Sequence, residues 1–227
     1  MSALREFFNR YGLEMAAGTI EHMQLVFLAM LIAASVAMPL GIFLARCRWR
    51  SFVTFVMGLV SVIQPIPSLA LVAFTLAILL WLNSVLHIDL PAIGTLPGLV
   101  ALVAYAILPI LRNTYTGIRQ VDDNIIEVAR GMGMTRRQLL LSVELPVSVP
   151  FIMTGVRIST VWTIGVGTLV SLVGAGGLGD LIFKGLYGYK VRLILAGAVP
   201  AAALALVFDW ILGAIENWLT PRGLREK

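Results

Sequence analysis

The chain has 227 residues, of which 59% are hydrophobic and 13% charged. Soluble domains run nearer half apolar and a quarter charged, so this composition points to the lipid bilayer as solvent. The single cysteine, Cys47, excludes an internal disulfide framework and a multi-cysteine zinc site. The net charge of +5 raises the question of nucleic acid; the placement of the charges answers it below.

Five apolar segments stand out, each near or above the roughly 20 residues needed to cross a bilayer. The first covers about 19–45. It is too long for the apolar region of a secretory signal and ends in arginines, so it reads as a retained span. Ala29, Ala33, Ala37, Gly41 and Ala45 recur in it at four-residue steps. Such a face lets helices approach closely, and tight packing within the chain is the expectation. The second segment covers about 52–82. Gln64, Pro65, Ile66, Pro67 and Ser68 lie in its middle, and two prolines so close must break or kink a helix. We read one broken crossing. The third covers about 95–117.

A polar interruption follows, about 121–146. Asp122, Asp123 and Asn124 offer an N-cap and acidic residues suited to a helix start. Glu127, Arg130 and Met134 are spaced to share one helix face. Gly131 and Gly133 then break the helix and let the chain reverse. A second helix is expected over about 135–143, capped by Thr135 and ended by Pro146. The fourth span covers about 147–173. Its small residues Gly155, Ser159, Thr163, Gly167 and Ser171 suit either internal packing or a wet pathway or partner subunit. A glycine-rich stretch, Gly174, Gly176, Gly177 and Gly179, comes next. It satisfies the dinucleotide fingerprint literally, but a span precedes it and no acid follows about 20 positions on, so a bend, hinge or gate is expected instead. The fifth span covers about 193–219.

Orientation follows from the basic residues. With five spans and the N-terminus outside, eleven of the 17 Lys and Arg residues fall inside. They are Arg46, Arg48 and Arg50; Arg112, Arg119, Arg130, Arg136 and Arg137; and Arg222, Arg225 and Lys227. Arg5, Arg10, Lys184, Lys190 and Arg192 fall outside. The positive-inside rule favours this arrangement, and it accounts for the basic charge without nucleic acid. Trp49, Trp81 and Trp218 sit at span ends, as indoles prefer; Trp162 and Trp210 do not, and read as packing residues. Arg157 and Asp209 fall within spans, where ionisable groups are costly and face a cavity or each other. The sequence leaves open whether they pair.

Glu127-Val128-Ala129, Gly133 six residues after the glutamate, and Val143-Glu144-Leu145-Pro146 resemble the EAA motif of permease subunits in binding-protein-dependent ABC importers. Val128 and Val143 depart from that pattern by small apolar changes. The resemblance extends over nearly the whole chain. Five spans, the loop between spans three and four and the glycine stretch after span four are similar to the small permeases of type I ABC importers. The Gln64-Pro65-Ile66-Pro67-Ser68 stretch is similar to the subgroup importing glycine betaine, choline and related osmoprotectants.

The resemblance implies an all-α integral membrane fold forming one transmembrane permease domain over 1–227. Its loop at 121–146 would be a cytoplasmic coupling element, with Glu127, Ala129, Arg130, Gly131, Gly133, Leu145 and Pro146 meeting a cytosolic ATPase dimer. Gln64, Pro65, Pro67, Ser68 and the glycines would flank the pathway. The implied partners are a second permease subunit, identical or homologous, and a periplasmic or lipid-anchored binding protein. The implied location is the bacterial inner membrane. No catalytic or metal-ligating residues are expected: His22 and His87 lack partners at ligand spacing, and no Walker motif appears. The chain would hold no cofactor, ATP and magnesium being bound by the partner ATPase. A secondary transporter or channel is the alternative.

Overall fold

The computed structural model describes residues 2–221. Arg222, Arg225 and Lys227, counted above on the inner side, lie outside the described residues. The described chain is helical: α1 (Ser2–Arg46), α2 (Arg50–Ser61), α3 (Ser68–Leu86), α4 (Thr95–Arg119), α5 (Asp123–Gly131), α6 (Arg136–Leu139), α7 (Leu145–Gly167), α8 (Leu178–Tyr187) and α9 (Val191–Leu219). A π-helical turn, Leu140–Glu144, joins α6 to α7, and a 3₁₀ turn, Val170–Val173, follows α7. Five helical stretches are long and apolar enough to cross a membrane: Arg5–Arg46, Ser68–Leu86, Thr95–Arg119, Arg136–Gly167 and Val191–Leu219.

α4 is the central post. α1 packs along one side of it and α7 along another. The alanine stripe explains the first contact. Ala29, Ala33 and Ala37 are fully buried, and a Cβ on Gly41 would stand 2.8 Å from the Thr114 Cβ. The small residues of α7 turn out to do the same. A Cβ on Gly155 would meet the Pro109 carbonyl oxygen at 2.8 Å, and buried Ser159 donates to the Ala106 carbonyl. Thr163 is likewise fully buried. This stripe therefore packs inside the chain, and the alternative of a wet pathway or partner contact falls away for it. Without water competition, backbone approach and interhelical hydrogen bonds hold such helices together.

The second crossing is broken where the prolines stand. Pro67 caps α3 and Pro65 lies in the turns after α2, where neither needs to supply an N–H to a helix ladder. At 12 residues α2 reaches only about 18 Å, too short to cross alone. Val53 of α2 packs with Leu44, Ala106, Ile110 and Leu111, whereas Val72 of α3 packs with Leu25, Ala101 and Leu102. The two helices thus cover successive halves of α4. Tyr105 donates to the Ile66 carbonyl, tying the break to the middle of α4.

Two boundaries and the setting of two tryptophans differ from the hydropathy reading. α1 begins at Ser2 rather than about 19, because Phe7, Tyr11 and Met15 pack on a cluster of Leu178, Leu181, Ala196 and Ala201. Pro146 does not end the helix before α7. The π turn widens the ladder just ahead of it, and the helix runs on from Arg136 to Gly167. Trp162 and Trp210 are not internal packing residues: both face outward, Trp210 at 76% exposure, among apolar side chains suited to lipid.

Candidate functional site

One end of the bundle carries the polar interruption. Asp122 caps α5 by accepting from the Asn124 N–H at 2.8 Å. α5 closes in a Schellman motif. The Met134 N–H reaches the Ala129 carbonyl, the Gly133 N–H reaches the Arg130 carbonyl, and Gly133 holds φ at +82°. That left-handed position favours glycine, which is the conformational reason for Gly133. Thr135 then starts α6 with a full capping box, its hydroxyl and the Gln138 side chain each satisfying the other's backbone N–H.

The side chains sort cleanly. Ala129 is buried under α5, whereas Glu127, Arg130, Gly131 and Gly133 are exposed, as are Ile125, Val128 and Met132. The face turned away from the bundle therefore combines apolar bulk with one acid and one base. Met134 was expected on the helix face of Glu127 and Arg130; it lies instead beyond Gly133, because the helix ends at Gly131. Leu145 and Pro146 are half-buried at the start of α7.

Behind this loop lies a contact that nothing local in the chain signals. Glu144, almost fully buried, stands 3.5 Å from the Arg46 guanidinium at the end of α1. This is an ion pair without a hydrogen bond to that carboxylate oxygen. The same guanidinium donates to the Arg136 carbonyl at 2.9 Å. Arg46 thereby grips both ends of the returning arm.

The opposite end carries the glycine stretch. Gly174, Gly176 and Gly177 hold φ at +83°, +79° and +86°. Gly177 caps α8, and its N–H donates to the Glu21 carboxylate at 3.0 Å. His22, buried beside it, bonds through Nε2 to the Ile164 carbonyl at 3.1 Å. That carbonyl belongs to the last turn of α7, where a helix leaves its final carbonyls short of i+4 partners. A Cβ on Gly177 would meet the His22 ring at 3.2 Å. Gly179 sits inside α8, against the Thr168 carbonyl. Across the loop before α4, the Gly94 N–H donates to the Val173 carbonyl at 2.7 Å. The roles of Glu21 and His22 were invisible in sequence because their partners lie more than 140 residues away. At the break in the second crossing, Gln64, Pro65 and Pro67 are exposed and Ser68 is half-buried.

The question of Arg157 and Asp209 is answered by α9. The Arg157 guanidinium bonds both oxygens of Asp209, at 3.0 and 3.2 Å, and one of Glu216 at 2.9 Å. Two carboxylates share one arginine between α7 and α9.

A family model, the inner membrane component of binding-protein-dependent transport systems, matches residues 37–222. The chain belongs to this family. It is 46% identical over 226 residues to the carnitine transport permease protein OpuCB of Listeria monocytogenes, covering 100% of this chain and 97% of that one. It is 42% identical to the choline transport system permease protein OpuBB of Bacillus subtilis (strain 168), covering 99% and 97%. With the osmoprotectant import permease protein OsmW of Salmonella typhimurium the identity is 39%, covering 93% and 94%. Among solved structures, a chain of the MetNI methionine ABC transporter in an inward-facing conformation superposes with a TM-score of 0.76 at 22% identity. That match covers 88% of this chain and 94% of the other and concerns the fold. The family sets aside a secondary transporter or channel. This is a multi-pass permease subunit of the type I ABC importers, a family whose ATPase is a separate chain.

Proposed function

We propose that this permease carries a quaternary-ammonium osmoprotectant, such as choline, carnitine or glycine betaine, delivered by a binding protein. The observation that carries this reading is the identity above 40% along nearly the whole chain with permeases named for carnitine and choline. A further relative, 40% identical, is named for glycine betaine, carnitine and choline together. The exposed face of α5, with Glu127, Arg130, Val128 and Met132, is the docking surface for one subunit of a cytosolic ATPase dimer. ATP and magnesium bind on that partner. A second permease subunit completes the pathway, with the break at Gln64–Ser68 and the glycines at Gly174–Gly179 beside it. ATP binding favours one packing of the spans over another, and the loop conveys that preference.

The orientation proposed has α5 in the cytosol and α8 outside, supported by the excess of Arg around the loop end. Cys47, beside Arg46 and half-buried, should react with a membrane-impermeant maleimide in inverted vesicles and not in intact spheroplasts. With Cys47 changed to serine, cysteines at exposed Ser84 and Asp89 should react only from outside. The reverse pattern at Asp89 would overturn both the orientation and the single broken crossing.

Transport itself is read in vesicles holding this chain, its ATPase and the binding protein. ATP-dependent accumulation of at least one of choline, carnitine or glycine betaine is expected, and none of methionine. Accumulation of methionine instead, or uptake indifferent to ATP, would contradict the reading.

A further inference from the structure

α1 touches both ends of the machine. Its last residue, Arg46, holds the arm that returns from α5, by the ion pair to buried Glu144 and the hydrogen bond to the Arg136 carbonyl. About 36 Å along the same helix, at 1.5 Å per residue, Glu21 holds the Gly177 N–H and His22 holds the Ile164 carbonyl. Between these clasps α1 is one continuous helix that runs through Pro39, set against α4 through Ala29, Ala33, Ala37 and Gly41.

Both clasps are polar and nearly removed from water on one side. The residue Glu144 is 5% exposed and His22 is 1% exposed, with no partner for Nδ1 among the described residues. Apolar side chains would hold these helices as well or better, since a desolvated charge pair returns little net stability. What polar contacts add is direction: they are made or broken, with no continuous range between. Sites far apart are coupled by such elements when a rigid body joins them.

We propose that Arg46, Glu144, Glu21 and His22 are positioning residues for transport, making α1 a tie that couples the α5–α6 loop to the glycine segment at the opposite end. α4 offers the covalent route out of that loop. α1 supplies a second route, to the returning arm, and both helices meet the glycine segment, α1 through Glu21 and His22 and α4 in its first turn, where a Cβ on Gly98 would stand 2.9 Å from the Ala175 Cβ. When the ATPase moves α5, the returning arm moves with it. Arg46 passes that displacement to α1, and Glu21 passes it to Gly177. The inference rests on the loop being the ATPase contact, which the stimulation of ATP hydrolysis in Glu127→Ala and Gly133→Asp tests separately.

The test uses the same vesicles and reads substrate imported per ATP hydrolysed. Glu144→Gln and Glu21→Gln remove one charge at each clasp without changing side-chain shape. Both variants should assemble with the ATPase and continue to hydrolyse ATP, while the import ratio falls about tenfold, within the range of ordinary coupling energies. The exchanged pair, Arg46→Glu with Glu144→Arg, should recover a substantial part of the ratio lost in Glu144→Gln. A wild-type ratio in both single variants overturns the proposal. So does a fall in uptake and hydrolysis that merely follows the amount of assembled complex, since that marks a structural role. If the exchanged pair does not reach the membrane, Glu21→Gln alone decides, because its exposed carboxylate accepts from a backbone N–H, which glutamine can still satisfy.

Discussion

Gly179→Ala is expected to leave little folded protein in the membrane. A Cβ at this position would fall far inside contact distance of the Thr168 carbonyl oxygen, 2.5 Å from the Ser171 Oγ and 2.8 Å from the Thr168 carbonyl carbon. The Ser171 hydroxyl can turn away, but it is already bonded to the same Thr168 carbonyl, and that carbonyl is backbone. Relief therefore requires α8 to retreat from the turn after α7. Gly197 of α9 also rests on the Leu178 carbonyl, where a Cβ would stand 2.5 Å from the oxygen, so α9 must shift as well. Overpacking usually costs about 1–3 kcal/mol, and backbone against backbone belongs at or above the top of that range. Gly58→Ala is the control. Gly58 lies within α2 with nothing near its missing Cβ, so alanine there should be neutral or stabilising by up to about 1 kcal/mol. Thermal unfolding of the detergent-solubilised chain separates the two. Equal melting temperatures for Gly179→Ala and wild type would contradict the packing described.

Arg157→Leu should be the most damaging change of a charged residue within the spans. It leaves Asp209 and Glu216 together between α7 and α9 with no counterion. Removing one partner of a buried ion pair costs on the order of 3–5 kcal/mol. The three side chains are 33%, 43% and 18% exposed, so we expect about 2–3 kcal/mol after allowance for screening. Asp209→Asn should cost less, because Arg157 and Glu216 remain as a balanced pair. The order of melting temperatures, wild type above Asp209→Asn above Arg157→Leu, is the expected result. Arg157→Leu melting with or above Asp209→Asn would show that the arginine is not what holds the two carboxylates.

The sequence reveals some of this more readily than the rest, for physical reasons. Spans are legible because crossing a bilayer needs a long apolar run, and the α5–α6 loop is legible because its caps are local. Asp122, Gly133 and Thr135 each satisfy backbone groups within five residues. The length of α1 is not legible. Its first turns carry Arg5, Glu6, Arg10 and Glu14 and are helical because Phe7, Tyr11 and Met15 pack on distant residues. Pro146 is misleading for a related reason. Proline stops an isolated helix, but a π turn ahead of it keeps this one running. The clasps at Glu144 and His22 are made across the fold, and nothing near either residue announces its partner. The tryptophans mislead in the other direction: Trp162 and Trp210 sit mid-span, where hydropathy alone does not tell a lipid-facing indole from a packed one.

In the function proposed above, the α5 face conveys the state of the ATPase to the spans. Glu127 is exposed, so Glu127→Ala should alter stability by no more than about 0.5 kcal/mol. At an interface with the ATPase, the loss of a buried charged partner costs on the order of 2–5 kcal/mol. Gly133→Asp adds a side chain at φ +82° with open space around it, so its strain falls on the turn that presents α5 and not on the bundle. The most direct measurement is ATP hydrolysis by the reconstituted complex with and without substrate-loaded binding protein. Both variants should reach the membrane at near-normal levels and lose the stimulation seen in wild type, and uptake with it. If both assemble with the ATPase and are stimulated as wild type is, the loop does not transmit.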